Sequence, residues 1–196
     1  VEADDLMDTM ILAAQEATEV LGKTEGMEED ELKDLYLKIG LAALKFYLAK
    51  VDPKKGMLFD PQESIQIHGT TGPSVQYAYT RTKGVQRKAT ASDLDFNFEA
   101  SAKPEKEMLE SERTLLKYLL KYKDVLREAG ESYNPSLIAN YCYELAKEYN
   151  RFFHEGRIVK SDQPITSAFR FALSNFVGDT LDKGMQLLGI QMLDRM

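Results

Sequence analysis

Apolar positions recur at three- and four-residue steps along most of the chain, which places them on one face of an α-helix. Leu6, Met10, Ala14, Ala17 and Leu21 predict a helix over 5–21, capped by Asp4 or Asp5 and stopped by Gly22. A second helix is predicted over 28–50, burying Leu32, Leu35, Ile39, Ala43, Phe46 and Tyr47, and ended by Asp52-Pro53. Residues 51–72 lack a period. Met57-Leu58-Phe59 and Ile65-Gln66-Ile67 read as short extended pieces, with one helical turn starting at Asp60-Pro61. Gly69-Thr70-Thr71-Gly72-Pro73 reads as a turn feeding a helix that runs to about Lys88, with Pro73 at its first position and Val75, Tyr79 and Val85 inward.

Beyond a polar connection over 89–103, Pro104 is predicted to open a helix over 105–121 on Met108, Leu109, Leu115, Leu116, Leu119 and Leu120. Residues 122–129 read as a separate short helix closed by Gly130. Asn134-Pro135 starts a helix burying Leu137, Ile138, Tyr141, Leu145 and Phe152, broken by Gly156. Pro164 opens the last helix, striped by Phe169, Leu173, Phe176, Val177, Leu181, Met185 and Leu188, with Gly189 as its stop. The expectation is all-α, six or seven helices without internal repeat, packed as a helical bundle.

Composition alters this picture in three ways. With 196 residues, 43% hydrophobic and 29% charged, the chain can build a sizeable globular core. No apolar run approaches the roughly 20 residues of a membrane span, and no signal-peptide pattern is visible, so no membrane partner is expected. The single cysteine, Cys142, excludes an internal disulfide and a multi-cysteine zinc site, and fits a reducing, cytoplasmic setting. A net charge of -7 looks wrong for a nucleic-acid binder, yet its distribution is uneven. Residues 1–35 carry twelve acids and two bases, so the remainder is weakly basic and can approach a phosphate backbone.

Candidate chemistry is sparse. The glycines at 69 and 72 lack the lysine and spacing of a nucleotide-binding loop, so His68 and its neighbours read as a structural turn. Arg81, Lys83, Arg87 and Lys88 form a basic run without an acid, close to Tyr77 and Tyr79; it is either a solvated face or a patch that tracks a phosphate backbone. Phe153 and His154 either complete a helix end or offer flat rings to a splayed RNA base. Cys142 reads as packing. No carboxylate pair suggests acid–base work, and two histidines anchor no metal, so neither catalytic nor metal-binding residues are expected.

Several segments, in order, resemble the C-terminal third of class I arginyl-tRNA synthetases. Ile39-Gly40-Leu41-Ala42-Ala43-Leu44-Lys45-Phe46 is similar to the family's V-G-I-G-A-I-K-Y helix, and Phe59-Asp60 to the F-D-W that follows. The most specific stretch, residues 69–81, resembles G-N-T-G-P-Y-V-Q-Y-A-H-A-R, with Thr70 in place of Asn and Ser74 in place of Tyr. Asn134-Pro135, Leu145-Ala146 and Asn150-Arg151-Phe152-Phe153 match a later helix of that family. Residues 167–173 resemble part of its DALR anticodon-binding domain, and Leu187-Leu188-Gly189-Ile190 with Asp194-Arg195-Met196 its C-terminus, with Leu193 where Pro is common. His154 falls near a position where the family often has an aromatic residue.

The resemblance implies a helical bundle of the class I synthetase anticodon-binding type over 67–196, and a connecting layer of the catalytic domain over 1–66. It implies a parent that joins arginine to its tRNA using ATP. No HIGH-like or KMSKS-like segment occurs in the chain. The expectation is therefore a fragment, cut just after the KMSKS-like loop, that needs no cofactor, is inactive alone, binds arginine tRNA and not DNA, and self-associates through uncovered surface. Carried over by resemblance, Asn150, Phe153, His154 and Met196 would face the anticodon loop, Tyr77 and Arg81 would lie nearer the inner corner of the tRNA, and Arg157 would contact phosphate. An all-α protein-interaction module without RNA binding is the rival expectation.

Overall fold

The computed structural model describes residues 2–21, 26–92, 107–155, 158–159 and 163–196. Among them are seven helices and no strand. They are α1 (Ala3–Leu21), α2 (Glu29–Ala49), α3 (Pro61–Ser64), α4 (Gly72–Thr90), α5 (Glu110–Ser132), α6 (Ser136–Glu155) and α7 (Pro164–Leu187). The all-α expectation holds. Gly22, Pro104, Gly156 and Arg157, to which sequence signals were assigned, lie outside the described residues.

Most helix ends follow from local chemistry. The Asp60 carboxylate accepts the Gln62 and Glu63 N–H groups (2.9 and 3.1 Å) and nucleates the single turn of α3. Thr71 Oγ1 accepts the Ser74 N–H (3.2 Å) at the start of α4, while Pro73 fills a position whose N–H would be orphaned. The side chain of Asn134 accepts both the N–H and the hydroxyl of Ser136 (3.1 and 2.6 Å) ahead of α6. Gly189, at φ 68°, supplies the left-handed residue beyond α7 that lets the chain turn back.

Five sequence expectations are corrected. Asp4 and Asp5 sit inside the first turn of α1, where they complement the helix dipole, and do not precede the helix. The segments at 57–59 and 65–67 are irregular. The helices expected over 105–121 and 122–129 are one, α5, which starts at Glu110, where the Glu112 carboxylate accepts the Leu109 N–H (2.8 Å). Gly130 lies within α5, because an interior glycine costs only about 1 kcal/mol, and the left-handed stop falls to Tyr133 (φ 53°). Leu120 and Phe176, expected inside, are 80% and 54% exposed.

Two hydrophobic clusters share α2. One face of α2 gives Leu35, Ile39, Ala43 and Leu44 to a cluster with Met10, Ala14 and Ile65. The other gives Ala42 and Phe46 to the main core, built from α4 to α7 by Val75, Ala78, Leu115, Leu145, Tyr149, Phe152, Leu173, Val177, Leu181 and Met185. At the α2–α4 contact a Cβ built on Gly72 would strike the Ala42 carbonyl, so only glycine lets the two backbones meet there. A nearly buried ion pair, Arg170 Nε to Glu112 Oε1 at 2.6 Å, ties α7 to the start of α5. The tail beyond α7 then recrosses the molecule, burying Ile190 in the main core and Leu193 in the α1–α2 cluster.

Candidate nucleic-acid interface

Helical spacing builds two half-sites and their packing joins them. Tyr77 and Arg81, four residues apart, share a face of α4. Asn150, Phe153 and His154 share a face of the last turns of α6. Where α4 meets α6, the Arg81 guanidinium donates through Nη1 to Asn150 Oδ1 (2.8 Å) and contacts His154 Nε2 at 3.2 Å. Arginine has only donors, so in this contact His154 Nε2 is the acceptor. Nη2 donates to the Tyr77 hydroxyl at 3.4 Å. The guanidinium also lies over two rings, 4.6 Å from the Tyr77 centroid and 5.0 Å from that of Phe153. Phe153 is braced edge-on by His154 (6.0 Å between centroids) and tilted against the buried Tyr149 (6.3 Å).

The residues that the resemblance divides between inner corner and anticodon loop thus form one constellation around Arg81. Met196 joins Arg81 elsewhere. It lines an open cavity of about 930 Å³ together with Arg81, Arg87, Arg195, Glu31 and Asp34. A second depression, about 490 Å³, is walled by Arg81, Lys88, Phe153, Ile158 and Val159. Arg81 lines both. Of the residues singled out in the sequence, Arg157 lies outside the described residues and His68 is an exposed turn residue apart from this site.

The rest of the basic run is partly engaged by the tail. Lys83 stands 3.9 Å from the Asp194 carboxylate and 5.1 Å from the Tyr79 ring centroid. Hydrogen bonding to the Tyr79 hydroxyl raises the Lys83 ammonium above its usual range, while burial raises the Tyr79 phenol. Arg87 Nη1 donates to the Asp194 carbonyl (3.1 Å). Lys88 is exposed. These links join residues more than a hundred positions apart, and no local pattern announces them. The acids from α2 were missed likewise. Glu31 and Asp34 stand in the acidic stretch that composition assigns away from RNA, yet they line the cavity.

The buried Cys142 is not an activated nucleophile. Burial pushes the Cys142 thiol up to about 12, and the Tyr141 and Tyr149 phenols are raised for the same reason. Among the described residues no three His, Cys, Asp or Glu side chains gather as metal ligands, and no helix is long and apolar enough to cross a membrane. The constellation sets a flat cation over two rings, beside amide and imidazole groups.

Residues 75–196 match the DALR anticodon binding domain family. The chain belongs to that family. Over its full length it is also 43% identical to an arginine–tRNA ligase of Porphyromonas gingivalis and 42% identical to one of Bacteroides thetaiotaomicron, and covers 32% of each. The chain therefore spans about a third of the length of the curated relatives it matches, their C-terminal third. Among solved structures, the arginyl-tRNA synthetase of Thermus thermophilus superposes on the whole chain with a TM-score of 0.82 at 26% identity, the chain covering 32% of it. That of Plasmodium falciparum gives 0.84 at 18% identity, with 34% covered, a likeness of fold. Membership of this family does not favour an interaction module without RNA binding.

Proposed function

We propose that the chain binds the anticodon region of arginine tRNA as the C-terminal part of a cytoplasmic arginine–tRNA ligase. The observation that carries the reading is the Arg81 constellation: a guanidinium seated on Tyr77 and Phe153 and hydrogen-bonded to Asn150 and His154. Single-stranded RNA bases are read by stacking on aromatic rings or on arginine planes, with edge hydrogen bonds supplying selectivity. Met196 and Arg195 would close the far wall of that site, and Arg157 would contact phosphate. In this reading residues 67–196 carry the RNA surface and residues 1–66 join it to the remainder of the ligase, with Ala42 and Phe46 in the main core and Leu193 in the α1–α2 cluster packing the two parts together. ATP and the adenylate chemistry belong to the parent enzyme, because no HIGH-like or KMSKS-like segment occurs here.

Phe153 acts in this site through Arg81, which covers one of its faces, as well as through its own ring. Phe153→Ala is expected to weaken binding of an arginine tRNA transcript by about 1–3 kcal/mol, the usual cost of one stacking platform. The comparison transcript carries an altered anticodon, and binding is followed across a salt series. Discrimination between the two that persists as salt rises supports the reading. Equal and salt-erased binding, or a folded Phe153→Ala chain with unchanged affinity, would remove it. The same preparation is expected to show no arginine-dependent pyrophosphate exchange.

A further inference from the structure

Gln76 is the next residue on α4 before Tyr77, but it points the other way and is fully buried. Its amide nitrogen donates to two backbone carbonyls from distant parts of the chain, Gln191 in the tail (2.8 Å) and Lys38 in α2 (3.3 Å). Its Oε1 is buried and has no partner among the described residues. A planar amide carries its two N–H groups at a fixed angle, so it holds the two carbonyls at one separation. Other polar ties to the tail among the described residues are more exposed: Lys45 Nζ to the Gly189 carbonyl (2.6 Å), Arg87 to the Asp194 carbonyl, and Lys83 to the Asp194 carboxylate (3.9 Å). Buried hydrogen bonds are the harder to replace, because their partners cannot turn to water.

Beyond Gln191 the tail continues through Met192, Leu193, Asp194, Arg195 and Met196, all lining the cavity beside Arg81. Leu193 plugs the α1–α2 cluster immediately afterwards. We propose that Gln76 is a positioning residue that fixes the C-terminal tail as one wall of the RNA site, by pinning the Gln191 carbonyl against α2. The proposal rests on the reading of that site given above. Being fully buried, Gln76 touches no RNA itself. Its effect on binding passes through the tail, and this separates it from the residues around Arg81.

The test compares the wild-type chain with Gln76→Met, which keeps length and shape but loses both donors and the unpartnered oxygen. Gln76→Glu, which sets a carboxylate against two carbonyls, is the harsher second variant. Amide hydrogen exchange and binding of an arginine tRNA transcript are measured on each, and on chains lacking Met196. In Gln76→Met, exchange over 189–196 is expected to quicken while α5 and α6 stay protected. Affinity is expected to fall about tenfold, which is about 1.4 kcal/mol. Removing Met196 from Gln76→Met should then cost much less than removing it from wild type, because the tail is already displaced. A loss of general stability would not produce that non-additivity. Unchanged tail exchange in Gln76→Met, or losses that multiply in full, overturns the proposal. A wild-type chain that binds no tRNA overturns the function proposed above, while tail exchange still decides the role of Gln76.

Discussion

Arg81 is the side chain on which the site turns, and replacing it separates structure from recognition. In the folded chain it makes hydrogen bonds to Asn150 (2.8 Å) and His154 (3.2 Å) and lies over two rings. At a partly exposed position these are worth about 1 kcal/mol per hydrogen bond and about 0.5–1 kcal/mol per ring. Against that sum stands about 2 kcal/mol of side-chain entropy returned when the arginine goes. Asn150 and His154 also remain open to water after its loss. The net cost of Arg81→Met to folding should therefore be small, about 1 kcal/mol, or a fall in melting temperature of about 2–4 °C. The cost to RNA binding is expected to be larger, about 2–3 kcal/mol, because a stacked cation is lost with its hydrogen bonds. Arg81→Lys decides what kind of contact is involved. It keeps the charge but loses the planar fork, so affinity should still fall by about 1–2 kcal/mol with the salt dependence unchanged. In Arg81→Met the log–log salt slope should shrink by about one phosphate contact. Thermal melts and filter binding at several salt concentrations read both quantities. Wild-type affinity in Arg81→Lys would reduce Arg81 to a point charge and refute the stacking argument. A stability loss that accounts for the whole affinity loss would refute the site.

Two further predictions concern the core that carries the site. A Cβ on Gly184 would lie 2.5 Å from Cys142 Sγ, so Gly184→Ala should cost about 1–3 kcal/mol by overpacking α7 on α6. Combining it with Cys142→Ala should recover about 1 kcal/mol or more in urea unfolding, and strictly additive losses would exclude that contact as the cause. Alkaline pH should also weaken the fold. The Cys142 thiol, raised from 9.0 to about 12, and the Tyr141 and Tyr149 phenols, raised from 10.0, stay protonated in the folded chain after the unfolded chain has released those protons. Their contribution is complete below about pH 9 and is lost above it, by up to about 1.4 kcal/mol per pH unit for each shifted group. Urea midpoints near pH 8 and near pH 10.5 should show the fall, and Cys142→Ala should reduce it. Midpoints that hold steady would contradict the raised values.

Local chemistry made much of this fold readable. Asp60, Thr71, Asn134 and Gly189 mark helix ends because each satisfies or relieves backbone groups within a few residues of itself. Gly130 misled because a glycine ends a helix only where the left-handed conformation is needed, and Tyr133 meets that need instead. Leu120 and Phe176 misled for another reason. A 3.6-residue period shows that an apolar stripe exists, whereas the width of the neighbour laid over it is a tertiary matter. The site divides in the same way. Tyr77 with Arg81, and Asn150 with Phe153 and His154, are visible as spacings on single helices. Their meeting depends on how α4 crosses α6, and the link from Gln76 to Gln191 spans 115 positions. Neither could be read from periodicity.

The acidity of the first two helices becomes intelligible in the same terms. Composition sets it against RNA binding, and a purely electrostatic binder would be ill served by Glu31 and Asp34 in the wall of its cavity. Both are already engaged, however. Glu31 accepts the Glu28 N–H at the start of α2, and Asp34 is paired with Lys38. Arg81, Arg87 and Arg195 line the same cavity, so it presents donors and acceptors of both signs. Such a wall is poor at holding phosphates and good at telling one base edge from another, because a carboxylate accepts only from amino and imino groups whereas a guanidinium only donates. On the proposed function, backbone attraction would fall to exposed cations such as Lys88, and selectivity to the mixed cavity and the rings beside it. The tail, tied to Gln76 through the Gln191 carbonyl, would keep the two in register.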